Sequence, residues 1–304
     1  MTDKQLQRYH RYQSFLRRML VICGCWHAST KSGKTTQYYS FIVLILLIMI
    51  ITVKLHILYQ FRHNLVYLMK NLSLLMISLG SILKVSCFLI NRRFLIAYHR
   101  TLSNLFEKEL SQSEKVRIVM LSPLRTIATL AYAYSVLIIT LSMTYFLPTY
   151  IIIIRGMIHL HIPSNYTLPY TRGYGYFWTV PPGILRHLHM FFESYLTVIN
   201  ATTCTGVDSV FGFYIYLLTS TMRAMTFKLT NPLPNDKFYD VLKINVAKHK
   251  RLMQCRDMLT RVYSPIILWH IITNAVFLCS VIFDAVKVCK KMTFNIDLRI
   301  RYSM

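Results

Sequence analysis

Residues 38–59 (YYSFIVLILLIMIITVKLHILY) limit what this chain can fold into more than any other feature. These 22 residues carry a single charge, at Lys54, and contain neither proline nor glycine. A helix rises by about 1.5 Å per residue, so this run is as long as the roughly 30 Å hydrocarbon core of a bilayer is thick. The run therefore predicts a membrane-spanning helix.

Five apolar stretches in all are long enough to cross a bilayer. They lie at about residues 39–60, 65–90, 126–154, 189–221 and 262–286. Such a series predicts an all-α, polytopic membrane helix bundle. The fourth stretch contains Glu193, Asp208 and several threonines, so we expect it to face other helices more than lipid.

The charge balance is strongly basic, with a formal net charge of +24. Such a charge suits either nucleic-acid binding or contact with an anionic membrane surface, and the positions of the charges decide between them. The segments outside the spans are numbered in chain order. The first, third and fifth (1–39, 91–125 and 222–262) carry 23 Lys and Arg, and the second and fourth (61–64 and 155–189) carry 4. By the positive-inside rule the amino terminus is cytoplasmic, and we expect no nucleic-acid partner.

This topology divides the chain into three parts. Residues 1–38 form a cytoplasmic amino-terminal segment, residues 39–286 the transmembrane bundle, and residues 287–304 a basic tail. Five spans that begin inside place the tail outside, where its five Lys and Arg contradict the rule. We expect the tail to derive from truncation of a longer protein.

The fourth connection, residues 155–187, combines turn residues with aromatic side chains. Its prolines and glycines exclude a helix, and its tyrosines could fold over the bundle as a lid or anchor at the membrane interface as an aromatic belt. Both interpretations stay open. The sequon at Asn165 makes that residue a candidate for glycosylation, since this connection is predicted to be exterior.

Ionisable residues inside the predicted spans are the next candidates for function. Lys54, Lys84 and Glu193 lie near span ends, so we expect their charges to reach the membrane surface. Lys70 and Asp208 are deeper and should face the bundle interior. No carboxylate pair or nucleophile–histidine set falls at a catalytic spacing, so we predict neither an enzyme nor a resident metal or cofactor.

Three groups of motifs occur in order from the third predicted span onward. Residues 145–148 (YFLP) and 167–170 (TLPY) precede a Tyr/Gly-rich stretch and a Pro-Pro pair, and residues 205–211 (TGVDSVF) follow in the fourth span. Residues 249–252 (HKRL) and 263–268 (YSPIIL) then lead into the fifth span. Together with an inside amino terminus, these motifs make residues 10–286 resemble the insect odorant receptors.

The resemblance implies a receptor of seven spans and inverted topology in the plasma membrane of olfactory sensory neurons. Such a receptor assembles with a shared co-receptor into a hetero-tetrameric, odorant-gated cation channel. Its ligand, a volatile odorant, lies in an apolar pocket in the outer half of the bundle. The matching positions here are Tyr67, Lys70 and Leu74 on the second span, Ser142, Tyr145 and Phe146 on the third, and Phe192, Tyr195 and Leu196 on the fourth.

Other receptor classes remain as alternatives. A gustatory receptor shares the topology, and only the loop and fourth-span motifs argue against it. A G-protein-coupled receptor needs an exterior amino terminus, against the distribution of Lys and Arg. A transporter usually shows paired repeats with broken helices, which the sequence does not contain.

Overall fold

A computed structural model describes residues 2–25, 35–158, 184–231 and 238–302 of the chain. Within these ranges the regular elements are eight helices: α1 (Thr2–Ile22), α2 (Thr35–Gln60), α3 (Leu65–Ile90), α4 (Arg92–Leu110), α5 (Glu114–Leu121), α6 (Leu124–Ile158), α7 (Ile184–Thr230) and α8 (Phe238–Tyr302). The all-α fold class is confirmed. Most of the fourth connection, with Asn165, lies outside the described residues.

The apolar runs form helices because only a helix satisfies every backbone amide and carbonyl within one segment in hydrocarbon. By length and composition, three helical stretches could cross a bilayer: Tyr38–Gln60, Glu114–Thr144 and Phe238–Phe283. A fourth is possible if Leu74–Ile90 and Arg92–Leu110, which meet at a bend of 74°, count as one span. These helices are those of a multi-pass membrane protein. The bounds of the five membrane spans stay a prediction.

The predicted third loop, residues 91–125, contains two helices, α4 and α5. The chain bends at Asn91, and α4 then buries Leu95, Tyr98, Leu102 and Phe106 against the rest of the protein. These residues recur every three or four positions, which is the spacing of one helix face. The basic residues of this segment were counted as those of a loop, and the apolar face of α4 was not predicted.

Helix α7 occupies the centre of the bundle and packs against α1, α3, α4, α5, α6 and α8. Its middle section buries hydroxyl-bearing residues that include Thr202, Thr203, Thr205 and Ser209. The hydroxyl groups of the three threonines donate to backbone carbonyls one turn earlier, so they cost little when buried. The expectation that the fourth span faces other helices more than lipid is therefore confirmed.

Helix α1 packs along α7 and against α5 instead of standing apart from the bundle. Tyr9 and Tyr12 are fully buried, and their rings lie 6.1 and 5.6 Å from the ring of Phe213 on α7. Gly206 on α7 lies directly against α1, since a Cβ at that position would be in van der Waals contact with Met19, 3.4 Å from its Cβ. The amino-terminal segment thus contributes to the core.

A buried carboxylate joins α4, α7 and α8 at the end of the bundle that is predicted to be cytoplasmic. Glu109 is 1% exposed, and its two oxygens accept hydrogen bonds from the ammonium groups of Lys228 and Lys248. Burial alone would raise the pKa of Glu109, but the hydrogen bonds from both lysines outweigh it and hold the pKa below its ordinary value. Glu109 is therefore ionised at neutral pH.

Candidate ligand-binding site

The relative heights of α3 and α7 follow from two polar contacts. The Oγ of Ser81 lies 3.3 Å from the Sγ of Cys204, and the Nζ of Lys84 lies 2.8 Å from the Oδ1 of Asp208. The two helices run in the same direction, because the residue numbers on α3 and on α7 both increase from the first pair to the second. Extending this register by two turns places Leu74 level with residue 197.

Two contacts fix α6 against α7 in the same way. The hydroxyl of Tyr134 donates to the Oδ2 of Asp208 over 3.2 Å, and the hydroxyl of Tyr150 donates to the Oγ of Ser194 over 3.3 Å. The two helices run in opposite directions, since one residue number rises as the other falls. In this register Phe146 also lies level with residue 197.

Three predicted binding residues from three helices therefore lie at one height, which we name the pocket level: Leu74, Phe146 and Leu196. Phe146 is 2% exposed and Leu196 is 3% exposed, and Leu74 is half-buried. Apolar side chains at one height between packed helices are suited to hold an apolar molecule. That they contact a ligand stays a prediction.

Two further predicted residues differ in their exposure. Phe192 is half-buried and packs against the hydrophobic core, whereas Tyr195 is 50% exposed. The backbones of Tyr67, Lys70 and Tyr145 lie on α3 and α6, but their side chains are outside the described part of the structure.

The predicted hydroxyl group on α6 is already engaged. Ser142 donates a hydrogen bond from its Oγ to the carbonyl oxygen of Ile138 over 2.8 Å. Its proton is therefore used within its own helix, and only the lone pairs of the oxygen remain to accept a hydrogen bond from a ligand.

Lys54, which the sequence interpretation placed at the membrane surface, is buried beside the pocket level. Lys54 on α2 is 7% exposed, and its Nζ donates to the carbonyl oxygen of Leu74 and to the Oγ of Ser78, both over 2.7 Å. The expectation that Lys54 reaches the membrane surface is wrong. The polar atoms of α3 satisfy the ammonium group inside the bundle, which the sequence of α2 alone does not indicate.

A second set of charges, the polar cluster, consists of Lys84, Tyr134, Asp208 and His270. It joins α3, α6, α7 and α8, with the Nε2 of His270 lying 3.3 Å from the Oδ1 of Asp208. Lys84 is 2% exposed, so the expectation that it reaches the surface is wrong. Asp208 does face the bundle interior, as predicted.

The polar cluster and the pocket level are separated along the bundle axis. Lys84 follows Leu74 by ten residues on α3, which corresponds to about 15 Å. The cluster therefore lies deeper in the bundle than the predicted binding residues. Both sets share α3, α6 and α7.

Glu193 also corrects the expectation for ionisable residues near span ends. It is fully buried, and its Oε1 lies 4.0 Å from the Nε2 of His189 on the same helix. The physical reason is its place on α7: Met190, Glu193 and Leu196 lie on the buried face of the helix, whereas Phe191 and Tyr195 lie on the exposed face. Within the described ranges, no group of three His, Cys, Asp or Glu is placed to hold a metal ion.

The sequence of residues 64–296 matches the protein family described as 7tm Odorant receptor. The match covers more than half of the chain. The chain belongs to the odorant receptor family. A comparison with curated proteins found no match.

The fold of this odorant receptor is similar to two solved structures. One is the insect olfactory receptor OR5 from Machilis hrabei, with a TM-score of 0.69 and 15% identity over 90% of this chain and 71% of that one. The other is the same receptor in complex with eugenol, with a TM-score of 0.62 and 16% identity over the same shares. At this identity the likeness shows the fold.

The fourth-span motif of this odorant receptor has a structural role in the bundle. Within residues 205–211, Gly206 lies against α1 and Asp208 accepts hydrogen bonds from Lys84 and Tyr134 and lies beside His270. The charge of the polar cluster thus explains Asp208 in the described structure.

Proposed function

We propose that this odorant receptor binds a volatile organic molecule at the pocket level and gates a cation channel together with a co-receptor subunit. The proposal places the complex in the plasma membrane of olfactory sensory neurons. The observation that carries the binding site is the common height of Leu74, Phe146 and Leu196 on three packed helices. Family membership supports the receptor role.

The chemistry of these positions suits a small, mostly apolar ligand. Buried aromatic and aliphatic side chains bind such molecules through loss of water-exposed surface and through dispersion. The receptor OR5 from Machilis hrabei has been solved in complex with eugenol. A small aromatic compound of that kind is therefore the first probe for this chain.

The family match favours an odorant receptor over a gustatory receptor, the main alternative of similar topology. It covers residues 64–296, which include α3, α6 and α7. The channel and the co-receptor follow from the family resemblance.

A binding experiment with matched variants tests the site. Purified receptor in detergent is titrated with eugenol and with a panel of volatile aromatic compounds, with intrinsic tryptophan fluorescence or thermal unfolding as the readout. We expect Phe146→Ala and Phe192→Ala each to weaken binding about ten-fold, since a truncated aromatic anchor commonly costs 1–3 kcal/mol or more.

The neighbouring residues provide the controls. Leu147 is 59% exposed and Phe191 is 58% exposed, so Leu147→Ala and Phe191→Ala should leave binding unchanged. Equal losses in both pairs would show that the effect is one of folding and would reject the site.

Recording from cells that co-express the receptor and a co-receptor tests the channel separately. We expect a cation current that appears only with both subunits and with a compound that binds in the titration. Binding without current would reject the channel and leave the binding site in place.

A further inference from the structure

A cavity of about 310 Å³ lies where α1 meets α5 and α6, far from the pocket level. Its lining residues come from the first two turns of α1 and from the junction between α5 and α6: Lys4, Gln5, Arg8, Leu121, Ser122, Leu124 and Arg125. None of these residues belongs to the proposed odorant-binding site.

The charge of this cavity is entirely positive. Lys4, Arg8 and Arg125 contribute three cations, and the lining contains no carboxylate. In the part of the chain that the structure describes, none of the three forms an ion pair with Asp or Glu. Three cations around one space repel each other, so an anion in that space would be stabilised.

Packing fixes the backbone that carries two of these cations, while the side chains of Lys4, Arg8 and Arg125 are exposed. Lys4 and Arg8 are one helical turn apart and therefore lie on the same side of α1. The next residues of α1 fix that side against α6, where the ring of Tyr12 lies 5.8 Å from the ring of Tyr132 and the ring of Phe15 lies 4.7 Å from it. The cavity is thus formed by a docked helix.

The position of the cavity indicates the source of the anion. Arg125 immediately precedes residue 126, where the third predicted span begins, so the cavity lies at the predicted cytoplasmic surface of the membrane. Leu121 and Leu124, 2% and 1% exposed, form its apolar floor. Phosphate groups of anionic lipids lie at that height, and basic clusters next to a span attract them.

We propose that this cavity binds the phosphate-bearing headgroup of an anionic phospholipid from the cytoplasmic leaflet. The headgroup bridges α1 to the start of α6 by accepting hydrogen bonds from the lysine and the two arginines. Arginine binds phosphate with two parallel N–H donors, so the contact is specific in its geometry as well as strong. This site is independent of odorant binding.

Lipid binding to purified receptor in detergent tests the proposal. Native mass spectrometry measures the fraction of protein that retains phosphatidylinositol 4-phosphate, with phosphatidylcholine as the neutral comparison. We expect preferential retention of the anionic lipid. The triple variant Lys4→Gln, Arg8→Gln, Arg125→Gln should bind it about a hundred-fold more weakly, because each basic side chain near an anionic surface contributes roughly five-fold.

A matched variant separates this site from general charge attraction. Lys243, Lys250 and Arg251 are exposed on α8, so Lys243→Gln, Lys250→Gln, Arg251→Gln removes the same net charge elsewhere. This control should keep the affinity of the wild type. Equal losses in the two triple variants would overturn the proposal.

A second variant fills the cavity and keeps all three cations. Ser122 is exposed at the junction of α5 and α6, so Ser122→Phe should block the headgroup without affecting the core. We expect the same loss of lipid as in the triple variant, and full retention of lipid would overturn the proposal. Millimolar inorganic phosphate tests free phosphate as the other source of the anion. If phosphate raises the thermal stability of the receptor and no lipid is retained, the cavity is a free-phosphate site and the lipid proposal is overturned.

Discussion

At the scale of single residues, the mostly apolar interior of this receptor also contains ionisable side chains. Lys54, Lys84 and Glu193 are each at most 7% exposed. The two lysines have polar partners on other helices, so their burial depends on how those helices pack. Removing one partner of such a pair leaves the other charge buried without compensation, which is the costly case.

Asp208→Asn should destabilise the receptor by about 3 kcal/mol, because Lys84 would lose its counter-charge while 2% exposed. Lys84→Met combined with Asp208→Asn should be less destabilising than Asp208→Asn alone. Thermal unfolding in detergent measures the difference.

An exposed ion pair provides the control for this prediction. Asp257, 66% exposed, pairs with Arg256, and Asp257→Asn should change stability by at most about 1 kcal/mol. A double variant as unstable as the sum of its single variants would show that Lys84 and Asp208 do not interact.

The sequence could predict part of this arrangement. Asp208 in a span that also contains threonines indicated an interior position, and that prediction is confirmed. The partner of Asp208 could not be predicted, because Lys84 is 124 residues away and only the register of α3 against α7 brings the two together. The same reason explains Lys54, whose partners belong to α3.

At the scale of helices, glycine sets how closely α3 approaches α8. A Cβ at Gly80 would lie 2.9 Å from the Nε1 of Trp269, and that nitrogen donates to the carbonyl oxygen of Met76 over 3.2 Å. The indole ring is large and is held by this hydrogen bond, so it cannot move away without cost.

Gly80→Ala should therefore destabilise the receptor by roughly 1–3 kcal/mol through overpacking. Gly212 on α7 is the matched position, because a Cβ there has no neighbour within 4 Å. Gly212→Ala should be neutral or stabilising by up to about 1 kcal/mol, since alanine favours the helix. Thermal unfolding of both variants measures the contrast, and similar values for the two would contradict this account of the α3–α8 contact.

The junction of α4, α7 and α8 should make stability depend on pH. The pKa of Glu109 is lower in the folded state than its ordinary value of 4.5, so its contribution is fully present above that value and is lost as pH falls through the lowered pKa. The thermal midpoint should accordingly be constant near neutral pH and fall below about pH 4.5.

Substitution of the carboxylate tests this assignment. Glu109→Gln should lower stability at pH 7 by about 3 kcal/mol, because Lys228 and Lys248 lose their common partner, and should weaken the fall in acid. Glu107→Gln, at an exposed position of the same helix, should keep the wild-type pH dependence. An unchanged acid response in Glu109→Gln would assign it to other carboxylates.

At the scale of the whole molecule, the sequence predicted the apolar helices better than the packing between them. The helix α3 has the bounds 65–90 of the second predicted stretch, because an apolar run without breakers admits few other structures. The helices α4 and α5 and the docking of α1 were missed. Their apolar faces cover α7 and alternate with basic residues, so these segments look like solvated loops when charge is counted without helical spacing.

The orientation of the bundle gives a prediction for the entire chain. The uneven distribution of Lys and Arg predicts that the amino terminus is in the cytosol and that the connection with Asn165 is outside. An epitope at the amino terminus should therefore be accessible to antibody only after cells are permeabilised. We expect the sequon to carry a glycan, so Asn165→Gln should increase electrophoretic mobility. An amino-terminal epitope that is accessible in intact cells would reverse the topology. It would also move the basic cavity at α1 to the exterior leaflet, where anionic lipids are scarce.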